Sequence, residues 1–527
     1  MKKNIFKIVI TAALFVSGFA SCTKKLDLLP TNDITATQVY STPTGYKQAF
    51  AKVYGSFALT GNQGPAGNGD IQGIDEGTSD FLRLFWKAQE LSTDEAVVSW
   101  GDPGIQDFHN MNWSSSNPML TGLYYRAYYQ ITLCNDFINQ ASDANLASRG
   151  ITGADADAIK VYRTEARFLR AYQYWVIMDV FGTGPFATEK DALGSVMPEQ
   201  ASRTQLFTYV ESELKAIETL LVDAKKNEYG RADKAAAWSL LSRIYLNAGV
   251  YTGTPKWTEA ATYAKKVIDA GYALIPNYTQ LMLADNNLNT SEFILTINFD
   301  GLKTQNWGGT TFLTHAAIGG SMSASSFGVD GGWGGIRTTK NIPALFPDVT
   351  GATDKRSQFY TSGQNLEISD LTSFTDGYAI TKYKNLTRTG AAGSSLTFPD
   401  VDFPLFRLAE QYLIYAEAAT RGGGDATVAL GYINNLRTRA YGNATGNITA
   451  AQLTTDFILD ERGRELYWEG FRRTDLVRYN KFVESTYLWP WKGGVKSGTS
   501  VSSFRKVYPI PSSDISSNVK LVQNPGY

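Results

Sequence analysis

The chain has 527 residues, of which 43% are apolar, 19% charged and 13% aromatic. That much apolar matter fills one large core or a few smaller ones, and the composition excludes disordered, collagen-like and disulfide-dense classes. Lysine plus arginine total 49 against 50 aspartate plus glutamate, so no basic excess points to nucleic acid; 29 tyrosines, 27 phenylalanines and 11 tryptophans fit an aromatic core or exposed stacking platforms.

In chain order, the first segment reads as targeting and not as fold. Lys2, Lys3 and Lys7 precede an apolar run from Ile8 to Phe19, shorter than the ~20 residues of a bilayer-spanning helix. Phe19-Ala20-Ser21-Cys22 closes it like a bacterial lipobox, with Phe in the usual aliphatic place. Residues 1–21 are read as a lipoprotein signal peptide, Cys22 as the lipid acceptor and 22–37 as a polar tether; secretion with Cys22 as a free thiol is the alternative. Each buried acyl methylene contributes about 0.8 kcal/mol to such an anchor. Cleavage leaves 46 basic against 50 acidic residues and Cys134 as the one other thiol, so no disulfide is expected.

The next strong signals are helical. Ala166, Leu169, Tyr172 and Val176 step by three or four through 162–181, with Gly182 as a stop. Ala237, Leu241, Ile244 and Ala248 end at Gly249; Ala260, Ala264, Val267 and Ile268 follow in a helix from Trp257 to Gly271. The last two helices make a hairpin of roughly tetratricopeptide size (~34 residues), which cannot bury its own apolar face and needs partners stacked on it. Candidates are Leu408, Tyr412, Tyr415 and Ala419 before Gly422, then Ala429, Ile433, Leu436 and Ala440. No alternating βα pattern is apparent, so the expected fold is mainly α: helical hairpins with long irregular loops and little sheet.

Two glycine-rich stretches interrupt the helices. Gly61 to Gly77 holds six glycines and Gly301 to Gly335 ten, with Trp307 and Trp333 among them. Long loops in compact proteins are usually functional, and glycine has no side chain to cover a neighbouring indole. Such rings suit the apolar C–H faces of sugars; plugging the core beneath the loop is the competing reading.

Later motifs carry less. In 460–478, Asp460/Arg464 and Glu469/Arg473 are opposite charges four apart; paired acids serve glycosidases, but a laced helix face or a half-buried ion network is the commoner meaning. His109 and His315 lack metal-ligand spacing, and no H-E-x-x-H, G-x-S-x-G or Walker A motif is present. Residues 182–187 match G-x-G-x-x-A but follow a helix instead of a strand. Asp400 and Asp402 form a D-x-D pair suited to a hard cation or simply to a loop surface.

Several separate motifs, in order, resemble one family along essentially the whole mature length. Glu165-Ala-Arg-Phe-Leu-Arg-Ala171, Arg231-Ala-Asp-Lys-Ala-Ala236, Pro404-Leu-Phe-Arg-Leu-Ala-Glu410, Glu469-Gly-Phe-Arg-Arg-Thr-Asp-Leu-Val-Arg478 and Tyr508-Pro-Ile-Pro511 are similar to the SusD/RagB outer-membrane lipoproteins of Bacteroidetes. Asp75-Glu-Gly77, Leu91-Ser-Thr-Asp-Glu95, Asn306-Trp-Gly-Gly309, Phe374-Thr-Asp-Gly377 and Trp489-Pro-Trp-Lys-Gly-Gly494 resemble the starch-binding branch. The resemblance implies a non-catalytic, lipid-anchored surface binder of starch or a related α-glucan, docked on a SusC-like TonB-dependent transporter and taking no nucleic acid; the alternatives are a binder of a different polysaccharide in the same transport role and a structural scaffold without sugar binding. It also implies an N-terminal region, 38–300, interleaved with a C-terminal one, 301–527.

For the site, the resemblance implies an arc of three aromatics aided by an arginine and nearby polar groups. Two arc positions fall on Trp307 and Trp333 and the arginine on Arg83. Asp75 lies in a matching motif, and a polar partner falls near Asp102. The third arc position lands on Val98, which has no ring, with Trp100 two residues on. Structural Ca2+ is implied near Asp400 and Asp402, with Asn287 where an acid is expected; no redox or nucleotide cofactor is implied.

Overall fold

The computed structural model describes residues 36–191, 194 and 197–527. The signal peptide, Cys22 and nearly all of the tether lie outside these residues. Helix accounts for 47% and strand for 6%. Among the described residues, no helix is long and apolar enough to cross a membrane.

Helix starts follow local chemistry. Helix α1 (Pro43–Ala58) has Thr42 accepting from Gly45 N and proline at its start. Helix α2 (Phe81–Glu90) begins at Asp80, whose carboxylate accepts from Leu82 N and Arg83 N. Helix α3 (Pro118–Gln140) is capped by Asn117. Helix α4 (Gly153–Val176) runs into a π-helical turn, Ile177–Phe181, which stops at Gly182 with φ 78°. Helix α5 (Arg203–Ile217) opens on a Ser202/Gln205 capping box, and α6 (Lys234–Leu246) on Asp233.

The expected hairpin is α6 with α7 (Trp257–Asp269), and its partners arrive from far along the chain. Helix α7 packs on both α6 and α8 (Leu408–Thr420), and α8 on α9 (Ala426–Tyr441). Ala237, Leu241, Ile244, Ala260, Ala264, Leu408, Ala429, Ile433 and Leu436 are all buried, so the spaced residues are the ones facing inward. Tyr412 is half-buried and stacks on Tyr432, centroids 4.6 Å apart.

Strands come in pairs. Phe293–Ile297 pairs antiparallel with Phe403–Arg407, joining distant parts of the chain. Val97 and Val98 pair with Arg337 and Ile336, and this two-residue ladder positions the site.

The charged run 460–478 is not one helix. A helix from Thr455 to Leu466 is followed by a turn and a second helix, Arg472–Arg478. Trp468 takes φ 64° and Gly470 φ 84° within the turn, because two buried carboxylates pull it out of line. Glu95 accepts from Trp468 N at 2.7 Å, and Glu90 accepts from Gly470 N at 2.6 Å and Phe471 N at 3.0 Å. The pairs Asp460/Arg464 and Glu469/Arg473 expected from spacing are therefore replaced. Arg464 binds Glu461 at 2.7 Å, Glu469 binds Arg407 at 2.7 Å and Lys382 at 2.6 Å, and Arg473 lies 3.4 Å from Asp179. Arg472 clamps Asp94 through two bonds of 2.7 Å. Removing one partner of such a buried pair is costly, because it strands the other charge. The run fastens the scaffold.

Burial, then the adjacent Glu95, holds Glu90 well above the usual carboxylate range, and burial pushes Glu95 up to about 7. The folded pair thus keeps protons that the unfolded chain gives up from about pH 4.5. Its contribution is full below that pH and is lost as pH rises through about 7. Glu90→Gln preserves the acceptor for Gly470 and Phe471 without needing a proton. Its melting temperature should exceed the wild type's at pH 8 and vary less between pH 5 and 8. Parallel melting curves for the two proteins across that range would show the pair to be ionised.

Candidate functional site

Arg83 lies in the first turn of α2, and what fixes that turn also fixes Trp307. Besides capping α2, Asp80 accepts at 2.9 Å from Gly309 N, the first residue of a short helix, Gly309–His315, inside the stretch read from sequence as wholly irregular. A Cβ on Gly308 would lie 1.7 Å from Asp80 Oδ1, so only glycine fits there. Asn306 donates to the Ala58 carbonyl and accepts from Gly308 N, pinning both sides of Trp307. Arg83 Nη1 donates to the carbonyls of Gly77 (2.8 Å) and Trp307 (2.9 Å).

Trp333 is held by its own peptide. Its N donates to His315 O at 2.9 Å, and Gly334 N and Gly335 N donate to Ile318 O and Ala316 O, each at 2.8 Å. The His315 ring lies 4.9 Å from the indole and is kept below its ordinary pKa by burial, hence neutral near pH 7. Trp100 follows the Val97–Val98 strand. Ser99 N donates to Gly335 O at 2.9 Å and Trp100 Nε1 to Trp333 O at 3.1 Å. A Cβ on Gly335 would come within 2.2 Å of Trp100 Cζ2. This glycine does more than leave an indole uncovered: it gives the next ring a surface to lie on.

Trp100, Trp333 and Trp307 thus form one surface, and all three are half-buried. Ring centroids are 6.3 Å apart with a 47° tilt between Trp100 and Trp333, and 6.4 Å with 53° between Trp333 and Trp307. The aromatic face is bent, not flat. Phe398, itself buried, packs against Trp307 with ring centroids 5.0 Å apart. The Arg83 guanidinium sits 5.7 Å from the Trp100 ring, 6.0 Å from that of Trp333 and 4.8 Å from that of Phe312. Burial lowers its pKa to about 10, against the pull of Asp80, Asp102 and Asp75, so it stays cationic at neutral pH. Asp75 and Asp102 are exposed within its field.

The expectation for Val98 is corrected: it is fully buried in its strand and contributes no surface, while Trp100 supplies the ring. Sequence reasoning also missed Lys87, one turn after Arg83. It is fully buried, with Met119 Sδ at 3.0 Å and the Phe312 ring at 5.8 Å; burial and Arg83 hold its pKa well below the usual value. The i, i+4 spacing was the available signal.

At the positions where the resemblance implies calcium, the acids accept hydrogen bonds from the surrounding loops. Asp402 accepts from Phe299 N (2.8 Å) and the Tyr229 hydroxyl (2.7 Å), and Asp400 from Gly301 N (2.7 Å) and from Ser394 N and Oγ (2.6 Å each). Asn287 is exposed; its neighbour Asn286 is the one bonded to the Asp402 backbone. Burial raises Asp402 to about 7, and among the described residues no three His, Cys, Asp or Glu gather as a metal site.

Comparison with known proteins agrees with the family motifs. A model described as the SusD family matches residues 347–527, and one described as starch-binding associating with outer membrane matches 86–246. The starch-binding protein SusD of Bacteroides thetaiotaomicron is 37% identical, with 100% of both chains covered. The chain belongs to the SusD family. SusD-like protein P2 of Formosa agariphila is 25% identical over 81% of this chain and 85% of that one. Among solved structures, a SusD homologue from B. thetaiotaomicron superposes with TM-score 0.73 at 17% identity, covering 94% of this chain and 99% of the other. Surface glycan-binding protein A from the same species, in complex with laminarihexaose, gives 0.69 at 22%, covering 91% and 99%. Such identities carry the fold alone. SusD-family proteins bind carbohydrate and are not enzymes, and this chain is not an enzyme.

Gly335→Ala tests the ring packing in this SusD-family chain. It should cost about 1–3 kcal/mol in denaturant unfolding through overpacking against Trp100 and shift the tryptophan emission. A wild-type unfolding midpoint would mean that the ring moves aside freely.

Proposed function

We propose that the protein captures starch or a related α-glucan at the cell surface and delivers it to a SusC-like TonB-dependent transporter in the outer membrane, anchored by lipid on Cys22. The observation that carries this reading is the bent surface of Trp100, Trp333 and Trp307 over Arg83. The full-length likeness to a starch-binding protein supports it. An α-1,4-glucan curls, so successive glucose rings turn their C–H faces through an angle and meet tilted indoles in series. A flat β-glucan would meet only some of them.

The polar groups suit the hydroxyls between those faces. Arg83 Nη1 is occupied by two carbonyls, which aims the guanidinium beneath the rings, and Asp75 and Asp102 offer acceptors at the rim. Moderate affinity serves such a role, because a receptor that hands polymer to a transporter must also release it.

Trp307→Ala, Trp333→Ala and Trp100→Ala should each cost about 2 kcal/mol of binding, roughly thirtyfold in affinity, with each variant still folded and melting cooperatively. Starch-containing native gels and calorimetry on a polysaccharide panel measure this. Wild-type retardation of the Trp307 and Trp333 variants would overturn the platforms, and wild-type behaviour of Trp100→Ala alone would remove it from the arc. Cys22→Ala should move the protein from the membrane fraction to the soluble one, and retention in the membrane would refute the anchor.

A further inference from the structure

The pocket between the start of α5, the start of α7 and the end of the Arg472–Arg478 helix is unlike the indole site. Its cavity of about 360 Å³ is lined by Arg203, Arg421, Arg478 and Lys506, with Trp257 and Asn480, and by no acid. We propose that this pocket binds a compact oxyanion, the sulfate or phosphate group of an ester.

The four cations are not equally committed. Arg478 is saturated: it grips Glu417 through two bonds of 2.7 Å, Asp475 at 2.8 Å and the Asn247 side chain at 2.8 Å. Arg421 gives Glu417 only its Nε, at 3.1 Å. Its guanidinium lies against the rings of Trp257 and Tyr479, at 5.0 and 4.8 Å. Stacking orients the fork and leaves both terminal nitrogens without an acceptor. Arg203 has no carboxylate at all. Its Nε and Nη2 donate to the carbonyls of Met178 (3.0 Å) and Asp179 (3.2 Å), its plane lies 4.9 Å from the Tyr251 ring, and Nη1 is unused. Lys506 pairs with Glu484 at 2.8 Å, both partly exposed.

Charge balance points the same way. The carboxylates in ion pairs around the pocket are Asp179, Glu417, Asp475 and Glu484. Facing them are Arg203, Arg421, Arg462, Arg473, Arg478 and Lys506, which leaves two positive charges uncompensated. A dianion such as a phosphate monoester matches that excess, a sulfate ester, being a monoanion, matches half of it, and a guanidinium fork matches the edge of either group with two parallel hydrogen bonds. The cavity has room for the group and part of the molecule that carries it.

Titration calorimetry with inorganic sulfate and inorganic phosphate, against chloride at matched ionic strength, tests this on the purified protein. Saturable binding of one dianion with Kd on the order of 1 mM is expected, with no comparable response to chloride. At pH 8 a pocket for phosphate esters favours phosphate and one for sulfate esters favours sulfate. Arg421→Gln and Arg203→Gln should each weaken binding at least tenfold, and Trp333→Ala should leave it unchanged. Should Arg421→Gln melt early, Arg421→Lys keeps the charge and loses the fork, and should still weaken binding severalfold. Equal responses to sulfate and chloride, or wild-type sulfate affinity in folded Arg421 and Arg203 variants, would overturn the proposal.

Discussion

Asp80 sits where two helices begin, and the site depends on what its carboxylate accepts. One side chain takes Leu82 N and Arg83 N from α2 and Gly309 N from the helix that follows Trp307. Those donors are among the N–H groups that a helix start leaves unpaired, and a carboxylate there also meets the positive end of each peptide dipole. Without it, three buried N–H groups would lose their acceptor, each at about 1–3 kcal/mol. Arg83 and Trp307 are separated by more than two hundred residues, yet this junction and the bond from Arg83 Nη1 to Trp307 O set their distance. The three indoles lie in irregular segments, but backbone and side-chain bonds pin those segments to short helices and the Val97–Val98 ladder, so the surface is positioned before any ligand arrives.

The far end of α2 is anchored as firmly. Glu90, Asp94 and Glu95 reach into the turn around Trp468 and to Arg472, and Glu469 continues the chain of charge to Arg407 and Lys382. A ten-residue helix, buried along its whole length, thus joins the indole surface to the ion network of the C-terminal segment. This explains a polar composition in a helix with no exposed face: each charged residue has a separate task, and only Lys87 lies among apolar neighbours with a sulfur as its hydrogen-bond acceptor.

The parts legible in the sequence were those with a local period or a local breaker. The stacked hairpins followed from alanines and leucines three or four apart, and Gly182 marked the helix stop. Trp307 and Trp333 stood out through their glycines. What escaped depended on contacts distant in sequence. The run 460–478 proved to be the buried ion network that its charges allowed, but its partners Asp94, Asp179 and Arg407, and the two carboxylates from residues 90–95 that hold its turn, are announced by no spacing inside it. Val98 fell inside because the ladder with Ile336 buries it, and Trp100 became the third ring because the bare Gly335, over two hundred residues away, leaves room for its indole. The oxygens of Asp400 and Asp402 accept from N–H and O–H donors on other loops, which the D-x-D spacing does not reveal.

The same geometry accounts for binding without chemistry. Cleaving a glycosidic bond takes a protonated acid and a second carboxylate on opposite sides of the bond. The carboxyl groups that burial raises most clearly toward that role, Glu90, Glu95 and Asp402, are buried and spend their oxygens on Gly470, Phe471, Trp468, Phe299 and Tyr229. Around the indoles are exposed acids at the rim and a cation fixed beneath the rings. Rings contribute dispersion and exclude water from sugar faces without polarising a bond. An arrangement of this kind suits holding a sugar polymer while leaving every bond in it intact, which is what the proposed role asks of it.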